Sequence, residues 1–384
     1  MTGSEDKTES IEPFRLNVPQ SALDDLARRL EYARLPDPET AEGWSQGVPL
    51  AGMRELLAYW RSTYDWRRCE TLLNRLGQFR TNINGVGINF LHIRSPHPKA
   101  LPLILTHGWP GSLLEFRKVI GPLSEPMAPA VADAFHLVIP SLPGYGWSGK
   151  PSATGWNIRS IAQAWSILMS RLGYTNYVAQ GGDWGAAVTT ELGRLRPRGL
   201  LGIHLSQPFV TPKEPPNEVL SFEERRARGM VRYYRKFDSG YARQQSTRPQ
   251  TLGYALTDSP IGQAAWIYEK YREWADCNGD PTTIFSMDEM IDNIMFYWLP
   301  AAATSAARLY WEAAAEESPP ARLNIPVGCS IFPKDIVRAP RSWAERSFSN
   351  IIYWNELDRG GHFAAWEQPE LFVQEVRACF RSLR

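Results

Sequence analysis

The sequence has no long uncharged apolar run and no excess of either charge. A membrane-spanning helix needs ~18 or more consecutive apolar residues, and no stretch of the 384 residues approaches that length. Lys and Arg total 42 while Asp and Glu total 41, which leaves a formal charge of +1. This balance gives no electrostatic reason to expect binding to nucleic acid or to a charged membrane surface.

Cysteines are few and far apart. Cys69, Cys277, Cys329 and Cys379 are the only four in the chain, and they lack the paired spacing of a metal site. We therefore predict no bound metal, and reduced thiols in a cytoplasmic protein rather than a disulfide scaffold. The first ten residues are polar and acidic, unlike a secretory leader, and this agrees with that location.

Short apolar runs rich in branched residues alternate with helical patterns after Gly77. Asn84 and Gly85 separate the first two runs and predict a hairpin turn. Strands that alternate with helices are typical of a mostly parallel, doubly wound sheet. The predicted strands are 78–83, 88–94, 101–106, 135–140, 176–180, 200–206, 325–332 and 350–355.

Two further regions are helical in pattern. Near the N-terminus, apolar residues follow helical spacing from Leu23 to Leu30, and Ser21 is the predicted N-cap. Between about 210 and 320 the chain is charged and aromatic without a clear strand, as expected of a cap inserted between strands. The predicted division is an N-terminal segment (1–76), a first core part (77–209), a helical cap (210–319) and a second core part (320–384).

The strongest local signal is Gly-Asp-Trp-Gly at 182–185, between a predicted strand and a predicted helix. Glycines two residues before and after Asp183 permit the tight turn of a nucleophile elbow, in which serine is the usual reactive residue. A carboxylate there needs no general base to attack an sp³ carbon, and it would form an ester. The alternative is a glycine-rich turn whose aspartate caps the following helix.

A second motif, HGWPGS at 107–112, follows the strand predicted at 101–106. In an elbow architecture, one backbone N–H that stabilises an oxyanion comes from the residue after the nucleophile, here Trp184. The other comes from a loop after an earlier strand, here Trp109. A simple turn is the alternative for this motif.

The predicted base is His362, because it is the only one of six histidines beyond the predicted cap. His107 precedes the elbow, which does not fit the chain order nucleophile, acid, histidine, so we expect it to order its loop. The acid that orients the imidazole is expected on the loop after the preceding strand, where Asp335 lies. Asp358 is the alternative acid, on the same loop as His362.

These motifs, in this order, resemble the microsomal-type epoxide hydrolases of the α/β-hydrolase superfamily. The resemblance covers nearly the whole chain and implies an α/β-hydrolase fold with a helical cap and an N-terminal meander. It is carried by 13–30 with 34–37, HGWPGS (107–112), GGDWG (181–185), the cap stretch 248–270, FPKD (332–335) and RGGHFAAWEQPE (359–370).

The resemblance also implies two cap tyrosines that hold the epoxide oxygen, and it places them at Tyr241 and Tyr310. An epoxide oxygen leaves as an alkoxide, so a weak acid must donate a hydrogen bond to it. The segment after Tyr241 departs from the common family pattern, which weakens that assignment. Some relatives carry Glu in place of Asp335. No metal or organic cofactor is implied.

The implied function is hydrolysis of an epoxide to a vicinal diol through an aspartyl ester. Six aromatic cap residues suggest a bulky or aryl epoxide: Trp266, Tyr268, Tyr271, Trp274, Trp298 and Trp311. The role stays open between detoxification and a tailoring step in secondary metabolism, such as enediyne antibiotic assembly. A haloalkane dehalogenase and a non-catalytic binding protein are the alternative functions. The oligomeric state also stays open, with a homodimer as one alternative.

Overall fold

The apolar runs form a nine-stranded mixed sheet in the computed structural model, which describes residues 9–127, 133–211, 219–315 and 322–384. The spatial order is β1-β2-β3-β5-β4-β6-β7-β8-β9; pairs from β5 through β9 are parallel, and those among β1, β2, β3 and β5 are antiparallel. The strands are β1 (Glu12–Pro13), β2 (Gln78–Ile83), β3 (Val86–Ile93), β4 (Leu101–Thr106), β5 (Phe135–Pro140), β6 (Tyr177–Gly181), β7 (Leu200–Leu205), β8 (Val327–Ile331) and β9 (Ile351–Glu356).

The predicted hairpin is confirmed between β2 and β3. Ile83 pairs with Val86, and Asn84 and Gly85 between them have φ of 50° and 82°. Positive φ at both central residues is the geometry of a type I′ turn, which Asn-Gly adopts readily. The strand β1 was not predicted because two exposed residues carry no alternating pattern.

Fifteen α-helices lie in the described residues. Of those in the core, α6 packs on β6 and β7, and α15 packs on β7, β8 and β9. The helices are α1 (Gln20–Glu31), α2 (Leu50–Ser62), α3 (Trp66–Arg75), α4 (Ile120–Ser124), α5 (Ile158–Arg171), α6 (Trp184–Leu195), α7 (Phe222–Tyr233), α8 (Gly240–Thr247), α9 (Pro249–Asp258), α10 (Pro260–Trp274), α11 (Met287–Trp298), α12 (Ala303–Ala314), α13 (Arg341–Ser347), α14 (Ala364–Glu367) and α15 (Pro369–Phe380).

The helices α7 to α12 lie between β7 and β8 in the chain, where the sequence predicted a cap. A π-helical turn, Tyr234–Asp238, joins α7 to α8. The domain boundaries stay predictions, and the one at 319/320 lies outside the described residues, as do residues 1–8 of the polar N-terminus. Within the described ranges, no helix combines the length and apolar character that crossing a bilayer requires.

The N-terminal helices pack against the cap. The helix α1 contacts α10, and both α2 and α3 contact α11. The predicted cap of α1 is wrong: the helix begins at Gln20, and Pro19 occupies the N-cap without a side-chain hydrogen bond. Proline fixes its own φ near the value a helix entrance needs, and this replaces the expected serine cap.

One buried carboxylate joins the N-terminal segment to the cap. Asp292 on α11 accepts hydrogen bonds from the Tyr64 hydroxyl at 2.8 Å and from Arg68 Nη2 at 2.8 Å. The Asp292 side chain is 1% exposed, whereas Arg68 is 40% exposed and also reaches Asp288 at 3.4 Å. Because buried polar groups are costly to leave unpaired, this junction depends on Asp292.

We expect Asp292→Ala to lower the free energy of unfolding by about 1–3 kcal/mol, because the Tyr64 hydroxyl loses its acceptor. The control is Asp258→Ala, which removes an 83%-exposed carboxylate that pairs with Arg29 across the same two regions. Exposed ion pairs contribute about 0–1 kcal/mol, so this variant should stay near the parent. Chemical and thermal unfolding followed by circular dichroism measure both. If the two variants lost equal free energy of unfolding, the junction would not depend on Asp292 more than on an exposed ion pair.

Candidate active site

Asp183 lies at the turn between β6 and α6 with φ 49° and ψ −129°. A positive φ is uncommon for a residue with a side chain and costs free energy that the surroundings must offset. Neighbouring glycines make this turn sterically possible. A Cβ on Gly181 would lie 2.0 Å from the Gly185 carbonyl oxygen, and one on Gly185 would lie 1.9 Å from the Thr106 carbonyl oxygen.

The Asp183 carboxylate is hydrogen-bonded by backbone on one side. Oδ1 accepts from the Trp109 N–H at 2.8 Å, and the carboxylate also accepts from the Trp184 N–H. Gly108 allows this approach, since a Cβ there would lie 2.2 Å from Asp183 Oδ1. Burial raises the pKa of the Asp183 carboxyl, while the charge of His362 and the two N–H groups oppose that rise.

His362 and Asp335 lie on the other side of Asp183. His362 Nε2 is 3.6 Å from Asp183 Oδ2, and His362 Nδ1 is 2.9 Å from Asp335 Oδ1. The same Asp335 oxygen accepts from the Gln207 side chain at 2.9 Å and the Ile336 N–H at 2.7 Å. The alternative acid, Asp358, is 81% exposed and pairs with the adjacent Arg359.

Buried carboxylates control the charge of His362. Burial alone would lower the pKa of the imidazole, but the hydrogen bond and charge of Asp335 raise it, with the charges of Asp183 and Glu115 added. The result is a pKa of about 9, so His362 carries a proton at neutral pH. Loss of the Asp183 charge would therefore favour release of that proton.

His107 lies in the loop after β4, which the sequence analysis expected it to order. Its ring is buried, its Nε2 accepts from the Leu142 N–H at 3.2 Å, and its Nδ1 contacts the Gly108 carbonyl at 3.0 Å. Burial lowers the pKa of His107 to about 4. A neutral imidazole thus connects the loops after β4 and β5.

Tyr241 and Tyr310 come from the cap and pack on the two tryptophans beside Asp183. The Tyr241 ring stacks on Trp109 with centroids 4.6 Å apart, and Tyr310 packs edge-on to Trp184 at 4.7 Å. The two tyrosine rings are 5.9 Å apart. Burial raises the pKa of both phenols well above the ordinary value, with the Asp183 charge adding to the rise. Both are therefore neutral hydrogen-bond donors.

Tyr234 was missed by the sequence reasoning. Its hydroxyl is 2.9 Å from that of Tyr241, and burial raises its pKa to about 12. The signal that could have found it is the spacing of seven residues before Tyr241, because two helical turns return to one face. Tyr234 extends the hydrogen-bonded group to three tyrosines.

Glu367 was also missed, although it lies in the RGGHFAAWEQPE motif. Its carboxylate accepts from three backbone N–H groups, those of Asp276, Gly361 and Phe363, at 2.8 to 2.9 Å. Burial raises its pKa to about 7. The residues on both sides of His362 are thus tied to one side chain.

The cap aromatics divide into two groups. Trp274 packs against His362 at 4.9 Å and Tyr241 at 5.2 Å between ring centroids. The other five contact different surroundings: Trp266 bonds Gln245, Tyr268 packs on Trp44, Tyr271 bonds Asn293, Trp298 lies under Arg29, and Trp311 lines an outer 550 Å³ cavity. The aromatic wall near Asp183 therefore comes mainly from Trp109, Trp184 and the tyrosines.

Among the residues the structure describes, no three His, Cys, Asp or Glu side chains lie close enough together to hold a metal ion. All four cysteines are buried and unpaired. The residues gathered around Asp183 offer a carboxylate, an imidazole, paired N–H groups and neutral phenols. Such a set can perform nucleophilic attack and proton transfer.

Comparison with known proteins assigns the family. Residues 11–116 match the family described as epoxide hydrolase N terminus, and residues 102–252 match the alpha/beta hydrolase fold. A candidate epoxide hydrolase of Stigmatella aurantiaca is 57% identical over 97% of this chain and 86% of its own. Epoxide hydrolase 1 of Sus scrofa is 34% identical over 96% of this chain and 88% of its own.

A solved structure agrees. The epoxide hydrolase of Aspergillus niger superposes with a TM-score of 0.87 at 31% identity, covering 98% of this chain and 97% of that one. The predicted fold class and the family resemblance are both confirmed. The chain belongs to the epoxide hydrolase family of the α/β hydrolases.

Proposed function

We propose that this protein hydrolyses a bulky or aryl epoxide to a vicinal diol through an ester on Asp183. One observation carries the proposal: the Asp183 carboxylate lies between two backbone N–H donors and the His362–Asp335 pair, beside two neutral tyrosines. The relatives named above support the reaction class, since their names assign them to epoxide hydrolases.

Ring opening follows from the two carboxylate oxygens. Oδ1 is held by the Trp109 N–H, which leaves Oδ2 as the attacking atom. Oδ2 forms a bond to one epoxide carbon as the carbon–oxygen bond of the ring breaks. The released electron pair goes to the epoxide oxygen, which Tyr241 and Tyr310 stabilise by donating hydrogen bonds and a proton.

Ester hydrolysis uses the opposite side of Asp183. His362 takes a proton from water, and the hydroxide attacks Cγ of Asp183. Negative charge then develops on Oδ1, where the Trp109 and Trp184 N–H groups stabilise it. The bond between Cγ and Oδ2 breaks, the diol leaves with Oδ2 and a proton from His362, and the water oxygen stays on Asp183. The second proton of the water passes from the Asp183 carboxyl to His362, which restores the starting carboxylate and imidazolium.

The ester itself prepares His362 for this step. Alkylation removes the negative charge of Asp183, and that charge is one of the causes of the raised pKa of His362. The imidazole therefore loses its proton more readily in the ester than in the free protein, and the tyrosinate left by ring opening is the group that takes this proton. The tyrosine is then neutral again, and the neutral imidazole can accept a proton from water. Asp335 then stabilises the imidazolium that forms.

A haloalkane dehalogenase is the second candidate, and one observation favours it. Trp184 Nε1 is buried without a hydrogen-bond partner among the described residues. An indole N–H beside the nucleophile is a donor that a departing halide could use. The neutral tyrosine pair favours the epoxide, because an alkoxide needs a proton and a halide does not.

The covalent step predicts where isotope goes. A single turnover of excess protein on styrene oxide in ¹⁸O-water should place the label in the Asp183 carboxylate, because water attacks Cγ and not the substrate carbon. Peptide mass spectrometry measures the label, and the diol from that turnover should be unlabelled. Asp183→Asn should form neither ester nor diol, and it serves as the blank. Label found first in the diol would exclude the ester.

Asp335→Asn should slow ester hydrolysis by about 10²–10⁴-fold, the usual contribution of an oriented base. It should also move the acidic limb of the hydrolysis rate to lower pH, because Asp335 raises the pKa of His362 and asparagine carries no charge. Glu115 and Glu367, the other carboxyl groups that interact with the imidazole, are left in place by this substitution. Single-turnover rates of the preformed ester across pH measure both effects.

The matched control for that variant is Asp358→Asn, which makes the same change on the exposed acid of the His362 loop. Its rate and its acidic limb should equal those of the parent. A shift of the limb to higher pH in Asp335→Asn, or equal effects of the two variants, would contradict the assignment of Asp335.

Substrate class is tested by a panel. Styrene oxide and larger aryl epoxides should give higher kcat/KM than linear alkyl oxides of equal carbon number, because the rings of Trp109, Trp184, Trp274 and the tyrosines surround Asp183.

Bromoalkanes matched in size test the dehalogenase candidate through halide release. Halide release faster than epoxide opening would reverse the ranking. A narrow preference within aryl epoxides would favour a biosynthetic role, and a broad one would favour detoxification.

A further inference from the structure

A buried ion pair lies behind the site and has no part in the steps above. Lys270 Nζ on α10 is 2.6 Å from Asp238 Oδ1, and the two side chains are 4% and 12% exposed. The same Nζ is 2.6 Å from Oε1 of the adjacent Glu269, whose side chain is 36% exposed, so Asp238 is the buried partner of the two. Removing two charges from water costs free energy that their mutual attraction often fails to recover. A pair retained at such a place therefore calls for an explanation other than stability.

Lys270 contacts the ring of Tyr241. Its Nζ lies 4.9 Å from the centroid of that ring and 5.3 Å from the centroid of Trp274. A cation over an aromatic face attracts the ring, more strongly when both are shielded from water. The same charge favours negative charge on the phenol oxygen, which makes the phenol a better donor to an alkoxide.

Asp238 reaches the base through Trp274. Its Oδ2 accepts from Trp274 Nε1 at 2.6 Å. The Trp274 carbonyl oxygen accepts from the His362 N–H at 2.9 Å, and the two rings are 4.9 Å apart. The position of Trp274, and with it the backbone at His362, therefore depends on this carboxylate.

Asp238 also ends the π-helical turn that begins at Tyr234. Single π-helical turns are rare and occur often at functional sites. Here the turn carries both the hydroxyl that bonds Tyr241 and the carboxylate that bonds Lys270 and Trp274. The distorted segment thus connects to both halves of the site.

We propose that Lys270 and Asp238 are positioning residues, Lys270 for ring opening and Asp238 for both ring opening and ester hydrolysis. Lys270 holds Tyr241 and strengthens it as a donor for ring opening. Asp238 fixes Lys270 on one side and Trp274 with His362 on the other, so it supports both ring opening and ester hydrolysis. This inference rests on the proposed epoxide hydrolase chemistry.

The two steps can be timed separately. Rapid quenching of the full-length protein with saturating styrene oxide, followed by intact-mass spectrometry, gives the rate of ester formation and the rate of ester loss. Tyr241→Phe is the reference for impaired ring opening. Arg68→Met is the control for loss of an ion-pair partner. It leaves the buried Asp292 with the Tyr64 hydroxyl and with Arg117, whose Nη1 is 3.6 Å away, while Lys270→Met leaves Asp238 with Trp274.

We expect Lys270→Met to slow ester formation about tenfold, as for loss of a desolvated cation–π contact, with ester loss changed less than about threefold. Lys270→Arg keeps the cation and should recover most of that rate. Asp238→Asn should slow both steps. Arg68→Met should change neither rate, although it lowers the thermal midpoint. The double change Lys270→Met with Asp238→Asn removes both charges and serves if either single variant fails to fold.

Several outcomes would overturn the inference. Ester formation unchanged in folded Lys270→Met, or slowed equally in Arg68→Met, would show that the pair has only a structural role. If Lys270→Arg did not recover the rate of ester formation, the positive charge at this position could not be the cause of the effect. When the parent protein forms an ester and a diol, these variant results contradict the inference alone. A parent protein that forms neither would contradict the proposed function as well.

Discussion

The rest of the site depends on the close approach of backbone at Asp183. Three glycines give up side-chain volume there, since a Cβ on Gly108, Gly181 or Gly185 would lie within 2.2 Å of neighbouring atoms. This packing holds a non-glycine residue at positive φ, a conformation it would otherwise leave. It also brings the Trp109 and Trp184 N–H groups within hydrogen-bonding distance of the Asp183 carboxylate. The donors that would stabilise an oxyanion are therefore in place before any substrate binds, at no cost during the reaction.

The charges of Asp183, Asp335 and His362 stabilise one another and have to be considered together. The side chains of Asp335 and His362 are 5% and 4% exposed and that of Asp183 is 14% exposed, so each would be unfavourable alone in its charged form. With the imidazole protonated between two carboxylates, one net negative charge remains, and backbone and side-chain N–H groups offset it. In the proposed mechanism, esterification of Asp183 would change this sum by one unit. The charge of His362 would then be linked to the progress of the reaction, which a structural ion pair does not require.

How much of this could be read from the sequence depends on how local each signal is. The runs that became β2, β4, β5 and β7 were predicted to within a residue, because apolar strands bounded by turn residues are short-range patterns. Asp183, Asp335 and His362 followed from motifs in chain order, and the structure brings their side chains together. Tyr241 and Tyr310 came only from the family resemblance. Tyr234, Asp238, Lys270 and Glu367 were missed. Asp238 and Lys270 are 32 residues apart in the chain, and Tyr234 and Asp238 lie at the two ends of a π-helical turn that the sequence did not predict.

The core and the cap supply different parts of the reaction. Asp183, His362, Asp335 and the two N–H donors lie on loops that follow strands of the sheet, where closely packed backbone fixes their positions. The groups that would receive the leaving oxygen, Tyr241 and Tyr310, lie on cap helices and reach the site by ring packing on Trp109 and Trp184. An aspartyl nucleophile of this kind can attack any accessible sp³ carbon. In the proposed mechanism, the cap would therefore select the electrophile, because its phenols can give a proton to a departing oxygen and a halide needs none.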